Sequence, residues 1–242
     1  MQTTKKIEKA ISGFREGEVF NYEQLNLVPV EYRAAVKALG RMTKAGIVKR
    51  ASTGRYYKPN KSVFGELRPG EEELLKSYLF RKGKRIAYVT GEALYNKMGL
   101  TTQVPKNIKV ASRDKRVITK VGSVAVKPVK SYVDVTDDNY FVLEILDAMK
   151  DFKEIPDLNR MTALKRLMQK IKELKEEDVR KLINVSLKYP PRVRALTGAL
   201  LTSLGIDSKL TETLIKSLNP LSSYNYGIKK KELPTINQWN IL

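Results

Sequence analysis

The 242-residue chain contains no cysteine and no histidine. Without cysteine there is no disulfide, no thiolate nucleophile and no sulfur-ligated zinc. Without histidine the side chain most used for proton transfer near neutral pH is missing, and so are imidazole-ligated metal sites. Carboxylate chemistry with Mg²⁺ is what stays open to a catalytic reading. No apolar run approaches the roughly 20 residues of a membrane span. No N-terminal stretch has the build of a signal peptide, so the chain reads as cytoplasmic, without a membrane segment. A further scarcity is local: between residues 32 and 65 there is no Asp or Glu.

Cations, by contrast, are plentiful. Lys plus Arg number 46 against 26 Asp plus Glu, a formal charge of +20. Residues 1–68 carry 14 basic and 6 acidic side chains, residues 69–135 the same numbers, and residues 136–242 carry 18 and 14. The excess therefore lies in the first 135 residues. Such a field attracts polyanions and makes their binding salt-dependent, because bound counterions are released.

The acid-free window has internal order. At about 100° per residue, Tyr32, Val36, Leu39 and Thr43 fall on one side of a helix, flanked by Ala35 and Met42, which predicts a core-facing stripe. Arg33, Lys37, Arg41 and Lys44 fall on the other side. Pro29 suits the helix start and Gly46 its end. Ile47–Arg50 and Arg55–Lys58 are β-prone runs around the turn-forming stretch Ala51–Gly54, and Pro59 stops the second run. Upstream, Ile7, Ala10, Ile11 and Phe14 share one face of a first helix, Val19-Phe20 predicts a short strand, and Asn21 caps a helical turn through Leu25. Helix, short helix, helix and hairpin make a winged helix-turn-helix over residues 1–60, whose third helix enters a DNA major groove. A basic face alone is usually a solvated face. Joined to a basic hairpin and a lack of acids, it indicates DNA binding. The expected contacts are Arg33, Lys37, Arg41, Lys44, Lys49, Arg50, Arg55 and Tyr57.

Residues 61–70, with Gly65, Pro69 and Gly70, read as a linker. Residues 71–220 read as an α+β domain. Glu71–Phe80 is a helix with acids in its first turn and Arg81, Lys82, Lys84 and Arg85 at or beyond its end, matching the helix dipole. Ile86–Val89 and Ile108–Ala111 are strands, with a short helix from residue 90 or 91 to Met98 between them. Gly122-Ser123 is a hairpin turn between residues 117–121 and 123–127. Helices follow over 137–152, 157–174, 176–189 and 192–204. The last carries the small residues Ala195, Gly198, Ala199 and Thr202, which suit either tight packing or a helix interface. Residues 221–242 form an irregular tail, and the sequence leaves open whether Trp239 docks on the domain. The overall expectation is an α+β fold: a winged helix, then a mixed α/β region, then a mostly helical part.

Two enzyme-like patterns fail on spacing. Asp157 with Glu173 and Lys175 resembles a Mg²⁺ nuclease motif, which needs its second carboxylate on a strand. Apolar residues at 161, 164, 167, 168, 171 and 174 have helical spacing instead. Gly122-Ser123 has no paired carboxylates shortly after it, as a nucleotidyltransferase site requires, and no P-loop is present. The chain reads as a non-enzyme without a cofactor or metal. The alternative class is an RNA- or protein-binding adaptor, for which Tyr56 and Tyr57 are the candidate base-stacking aromatics.

Three segments resemble a known family. Ala38-Leu39-Gly40-Arg41-Met42 through Tyr56-Tyr57-Lys58-Pro59 looks like the winged-helix start of AbiEi-type antitoxins, with Gly40 where a serine is usual. Thr90-Gly91-Glu92-Ala93-Leu94-Tyr95 through Pro105 is similar to their second-domain signature, as is Tyr189 through Gly198. The resemblance implies an antitoxin of a type IV toxin–antitoxin system. Its winged helix would repress its own operon by binding inverted repeats in double-stranded DNA. Its C-terminal domain would counter a nucleotidyltransferase-like toxin. Antitoxins of that type are held to act without a stable toxin complex, so the toxin enters as a functional partner. Arg41 and Arg55 match the family's basic positions.

Overall fold

The computed structural model describes residues 2–62, 65–114, 116–121 and 124–242. It is an α+β protein whose chain divides into two units, Met1–Arg85 with Thr119–Val124, and Ile86–Ile118 with Ala125–Leu242.

The first unit starts with helix α1 (Gln2–Ser12), which buries Ile7 and Ile11. Strand β1 (Val19–Asn21) leads into a 3₁₀ turn (Tyr22–Leu25). Asn21 makes that turn: its side-chain oxygen accepts the Glu23 and Gln24 amides at 2.8 and 3.3 Å, while the Gln24 side chain accepts the Asn21 amide at 3.0 Å. This reciprocal cap satisfies donors that a helix start leaves bare. A second 3₁₀ turn (Pro29–Glu31) feeds α2 (Tyr32–Lys44). Gly46, at φ 73°, reverses the chain, and the Ile47 amide closes onto the Met42 carbonyl at 2.9 Å. Strands β2 (Lys49–Ser52) and β3 (Arg55–Tyr57) form the hairpin, with a register shift between Arg50 and Ser52. Strand β3 also pairs antiparallel with β1, so the sheet order is β1-β3-β2. Helices and hairpin follow the order expected of a winged helix.

The phase of α2 differs from the sequence expectation. Its buried residues are Ala35, Ala38, Leu39 and Met42, while Val36 is 53% exposed and Tyr32 37% exposed. The buried stripe is turned by about 80° from the expected one, on a helix of about 100° per residue. The core here is made by Ile7, Ile11, Phe20, Leu25 and Val48, and small Ala35 and Ala38 let α2 approach them closely. Val36 and Tyr32 have larger apolar side chains, which draw the predicted stripe toward them. Tyr32 instead lies 6.2 Å from the Tyr22 ring at the edge of this face.

The segment expected as a linker holds a short antiparallel pair, β4 (Asn60–Ser62) and β5 (Gly65–Leu67). Helix α3 (Glu71–Leu79) and the hairpin β6 (Phe80–Arg81) and β7 (Lys84–Arg85) complete the unit, with β10 (Thr119–Val121) against α3. The expected turn at Gly122-Ser123 lies outside the described residues.

In the second unit β8 (Tyr88–Thr90) pairs antiparallel with β9 (Asn107–Ser112), which pairs in parallel with β11 (Val124–Lys130). Helix α4 (Glu92–Lys97) joins β8 to β9. Helices α5 (Tyr140–Lys150), α6 (Arg160–Lys172), α7 (Glu176–Ser186), α8 (Pro191–Ser203) and α9 (Ser208–Lys216) follow. Asn139 stands at the start of α5, and its side chain accepts the Thr136 amide at 2.9 Å.

A carboxylate holds sheet to helices. Asp147 of α5 is 2% exposed. One of its oxygens accepts Tyr88 Oη at 2.8 Å and Thr90 Oγ1 at 2.6 Å, and the other accepts Tyr189 Oη at 3.1 Å and Lys150 Nζ at 3.3 Å. Tyr88 and Thr90 reach it together because alternate strand residues share a face. Burial first, then the Asp147 charge, pushes both phenols above their ordinary pKa, so they stay donors.

Helix α8 is buried on nearly all sides, as an all-round apolar helix must be. Its small stripe is explained within the chain. The tail ends in a 3₁₀ helix (Pro234–Trp239) that lies on α8, with Trp239 2% exposed and its indole N–H donating to Thr202 Oγ1 at 3.1 Å. Thr235 Oγ1 donates to the Ala199 carbonyl at 2.7 Å. A Cβ at Gly198 would stand 2.1 Å from the Trp239 ring. The tail is irregular in backbone, yet Tyr226, Ile228, Leu233, Ile236 and Ile241 are all buried. We expect Gly198→Ala to expel the indole and cost about 1–3 kcal/mol, the usual range for overpacking. Trp239 is the sole tryptophan, so its emission should shift to the red in the native state while the urea midpoint falls. Unchanged emission would show that the two surfaces do not meet.

Candidate nucleic-acid interface

The rotation of α2 decides what it presents. With Ala35, Ala38, Leu39 and Met42 inward, the direction opposite the core falls near Arg33, Gly40, Lys44 and Lys37, all exposed. The side chains of Arg33, Lys37 and Lys44 make no hydrogen bond or ion pair with a described residue. Arg41, at the edge of this face, is exposed and its guanidinium donates to Thr4 Oγ1 at 3.4 Å. At the helix entry, Glu31 accepts Lys6 Nζ at 2.9 Å and the Val28 amide at 3.0 Å. The hydrogen bond from Lys6, then that from Val28, lowers the Glu31 pKa, so its charge stays engaged beside the first turn. The four sequence-predicted helix cations are thus on one exposed surface.

The hairpin behaves differently. Arg50 is exposed, and its Nε donates to the Ser52 carbonyl at 3.3 Å across the irregularity in β2. Lys49 is paired with Glu66 of β5, an acid that stands just past the acid-free window. Such a partly exposed pair contributes little stability, but it offsets the cation locally.

Two expected contacts are corrected. Tyr57 is 6% exposed, beside Val19 of β1 and Lys49 of β2 in the sheet. Arg55 turns inward: its Nε donates to Ser77 Oγ at 2.7 Å, its Nη2 to the Ser77 carbonyl at 3.1 Å, and its guanidinium lies 3.5 Å from the centre of the Tyr78 ring. Burial lowers its pKa. A planar fork matches this combination of two acceptors and a ring, so Arg55 fastens α3 to the sheet. Tyr78 Oη adds contacts with Ser52 Oγ at 2.8 Å and Thr119 Oγ1 at 3.0 Å. Tyr56 is also buried, and its hydroxyl stands 3.1 Å from that of Tyr22. Burial, then that contact, pushes the Tyr22 phenol up to about 12. Neither aromatic of the hairpin is placed to stack on a base.

The two carboxylates of the nuclease-like pattern make local contacts. Asp157, at φ 50°, is hydrogen-bonded by the Thr101 and Thr102 hydroxyls, which lower its pKa. Glu173 ends α6 and accepts Gln169 Nε2 at 3.0 Å. Among the described residues no group of three or more Asp and Glu side chains is arranged to hold a metal ion. Among the described residues no helix is long and apolar enough to cross a membrane.

One feature of the first unit escapes the sequence reading. Arg81, Lys82, Lys84 and Arg85, expected at or beyond the end of a helix, form the β6–β7 hairpin. The available signal is Lys82-Gly83, a glycine second in a two-residue turn.

The crystal structure of the RV2827C protein from Mycobacterium tuberculosis is similar in fold, with a TM-score of 0.52 at 10% identity over 92% of this chain and 84% of that one. No curated protein sequence matches this chain. A family model, that of the family of unknown function DUF6088, matches residues 6–188. Its span takes in the winged-helix elements, the second unit's sheet and helices α5 to α7, and the chain belongs to the DUF6088 family.

Proposed function

We propose that this chain is a sequence-specific DNA-binding protein that represses its own operon and acts as the antitoxin to a nucleotidyltransferase-like toxin. The observation that carries the DNA-binding reading is the outward face of α2. Arg33, Lys37 and Lys44 stand there without a described protein partner, on a segment with no acid from residue 32 to 65. A solvated face normally mixes both signs. Residues near the helix start, Arg33 and Lys37, meet base edges or phosphates, and Arg41 and Lys44 hold the backbone. Two copies on inverted half-sites would account for recognition of a palindromic operator.

Gly40 supports the same reading. It lies mid-helix on the exposed face, where glycine costs about 1 kcal/mol relative to alanine. A Cβ there would meet nothing within 4 Å. The fold therefore gives no steric reason for the glycine, whereas a helix seated in a groove does, because its backbone then approaches the partner closely.

The antitoxin half of the proposal is supported by the resemblance of residues 90–105 and 189–198 to AbiEi-type chains.

Three outcomes are expected. The full chain should prefer a duplex from its own promoter over a scrambled one in fluorescence anisotropy. Combined Arg33→Ala, Lys37→Ala and Lys44→Ala should abolish that preference, a base contact being worth about 1–3 kcal/mol; equal binding of both duplexes by the parent chain would sink the reading. Gly40→Ala should raise stability by roughly 0.5–1 kcal/mol in urea unfolding yet weaken promoter binding. A variant that is stabilised and binds unchanged would remove the close-approach argument. Finally, an adjacent reading frame should encode a nucleotidyltransferase-like protein, and the chain should restore growth to cells expressing it, as should the triple variant. Persistent growth arrest in both strains would refute the antitoxin role.

A further inference from the structure

The β6–β7 hairpin, Phe80–Arg85, has local features that folding alone does not explain. It places four cations in five residues, Arg81, Lys82, Lys84 and Arg85, and no Asp or Glu occurs from residue 74 to 91. Its register pairs Phe80 with Arg85 and Arg81 with Lys84, so the loop is the two residues Lys82 and Gly83. Both have positive φ, 49° and 75°. This is the primed turn that matches strand twist, and its first position favours Asn, Asp or Gly. A lysine there bears backbone strain, and the chain thereby keeps an ammonium at the tip of the hairpin. Lys82 and Lys84 are exposed and make no ion pair with a described residue.

The hairpin is also held. On one side the Arg85 guanidinium lies 4.5 Å from the centre of the Phe80 ring. It follows directly from α3, which Arg55, Tyr78 and Glu73 fasten to the sheet; Glu73 accepts the Val19 amide at 3.3 Å. Lys82 and Gly83 line one cleft with Asn21, Glu23 and Gln24 of the turn after β1. The wing turn is beside the same region, since a Cβ at Gly54 would stand 3.8 Å from the Tyr22 ring. The cleft is lined by Glu18, Glu23 and Glu73 as well as by Lys76 and Lys82, so its interior does not favour a polyanion, whereas Lys84 is exposed and lies outside that lining.

We infer that this hairpin is a second basic wing, which contacts the phosphate backbone of duplex DNA next to the first. The inference rests on the DNA-binding reading of α2 and extends its footprint. It also adds to the β2–β3 hairpin, where Arg50 is exposed but Arg55 and Tyr57 are turned inward and Lys49 is paired. Two ammonium groups without a matching planar acceptor suit phosphates rather than base edges, so the hairpin contributes affinity without sequence preference.

The test is Lys82→Asn combined with Lys84→Ala in the full chain. Asparagine is favoured at the turn position, so the hairpin should keep its shape, and an unchanged or higher urea midpoint checks this. Binding to promoter and scrambled duplexes is measured over a salt series. We expect affinity for both duplexes to fall by about the same factor and the promoter preference to persist. The slope of log K against log salt should drop by about 2, near 0.9 for each phosphate that is no longer neutralised. Unchanged affinity and slope in this variant, while the α2 triple variant loses promoter preference, would overturn the second wing and leave the α2 reading standing. If the parent chain binds no duplex at all, both fall.

Discussion

The burial of Ala35, Ala38, Leu39 and Met42 is the constraint on which the candidate interface depends. These four side chains meet Ile7, Ile11, Phe20, Leu25 and Val48 in the core of the first unit. A helix has one rotational degree of freedom against its core, and choosing which residues go in chooses which come out. Because the buried stripe is made of small and medium side chains, α2 sits close, and Arg33, Lys37, Gly40 and Lys44 are left facing outward. No separate device orients the cations.

The same unit shows how one residue type is divided between uses. Arg55 and Arg33 are both arginines in a basic window, yet Arg55 commits its guanidinium to Ser77 and Tyr78. A planar group with five donors is suited to two acceptors and a ring at once. Its effect is to attach α3 to the sheet and so to hold the hairpin that follows. A cation expected at the interface is committed instead to α3, the helix that precedes the hairpin carrying Lys82 and Lys84.

The second unit relies on two contrasted contacts. Asp147 is a buried charge, tolerable because four donors from β8, α5 and the turn before α8 converge on it. Trp239 is a large apolar group, seated because Gly198 offers no side chain in its way. The first contact joins sheet to helices; the second turns a backbone-irregular tail into part of the core. The small residues of α8 thus serve packing within the chain, and their presence carries no implication of a partner.

Much of this was legible in the sequence because it is local. Helix α9 was not read from it, whereas the order of elements in the winged helix, the Asn21 cap, the Gly46 reversal and the four helices between residues 137 and 204 follow from periodicity, caps and turn residues close in the chain. So do the lack of acids from 32 to 65 and the absence of Cys and His. What the sequence did not reveal involves partners distant in the chain. The phase of α2 was set by core residues on other elements, and the larger Val36 and Tyr32 outweighed them in a count of apolar positions. Arg55 turned inward because Ser77 and Tyr78, over twenty residues later, return to it. Tyr57 is buried between strands β1 and β2, and Trp239 found Gly198 forty-one positions away. Local sequence determined which elements form and how many cations they carry. Only the tertiary structure decided which of those cations face solvent, since burial is a property of what packs on a side chain and not of the side chain itself.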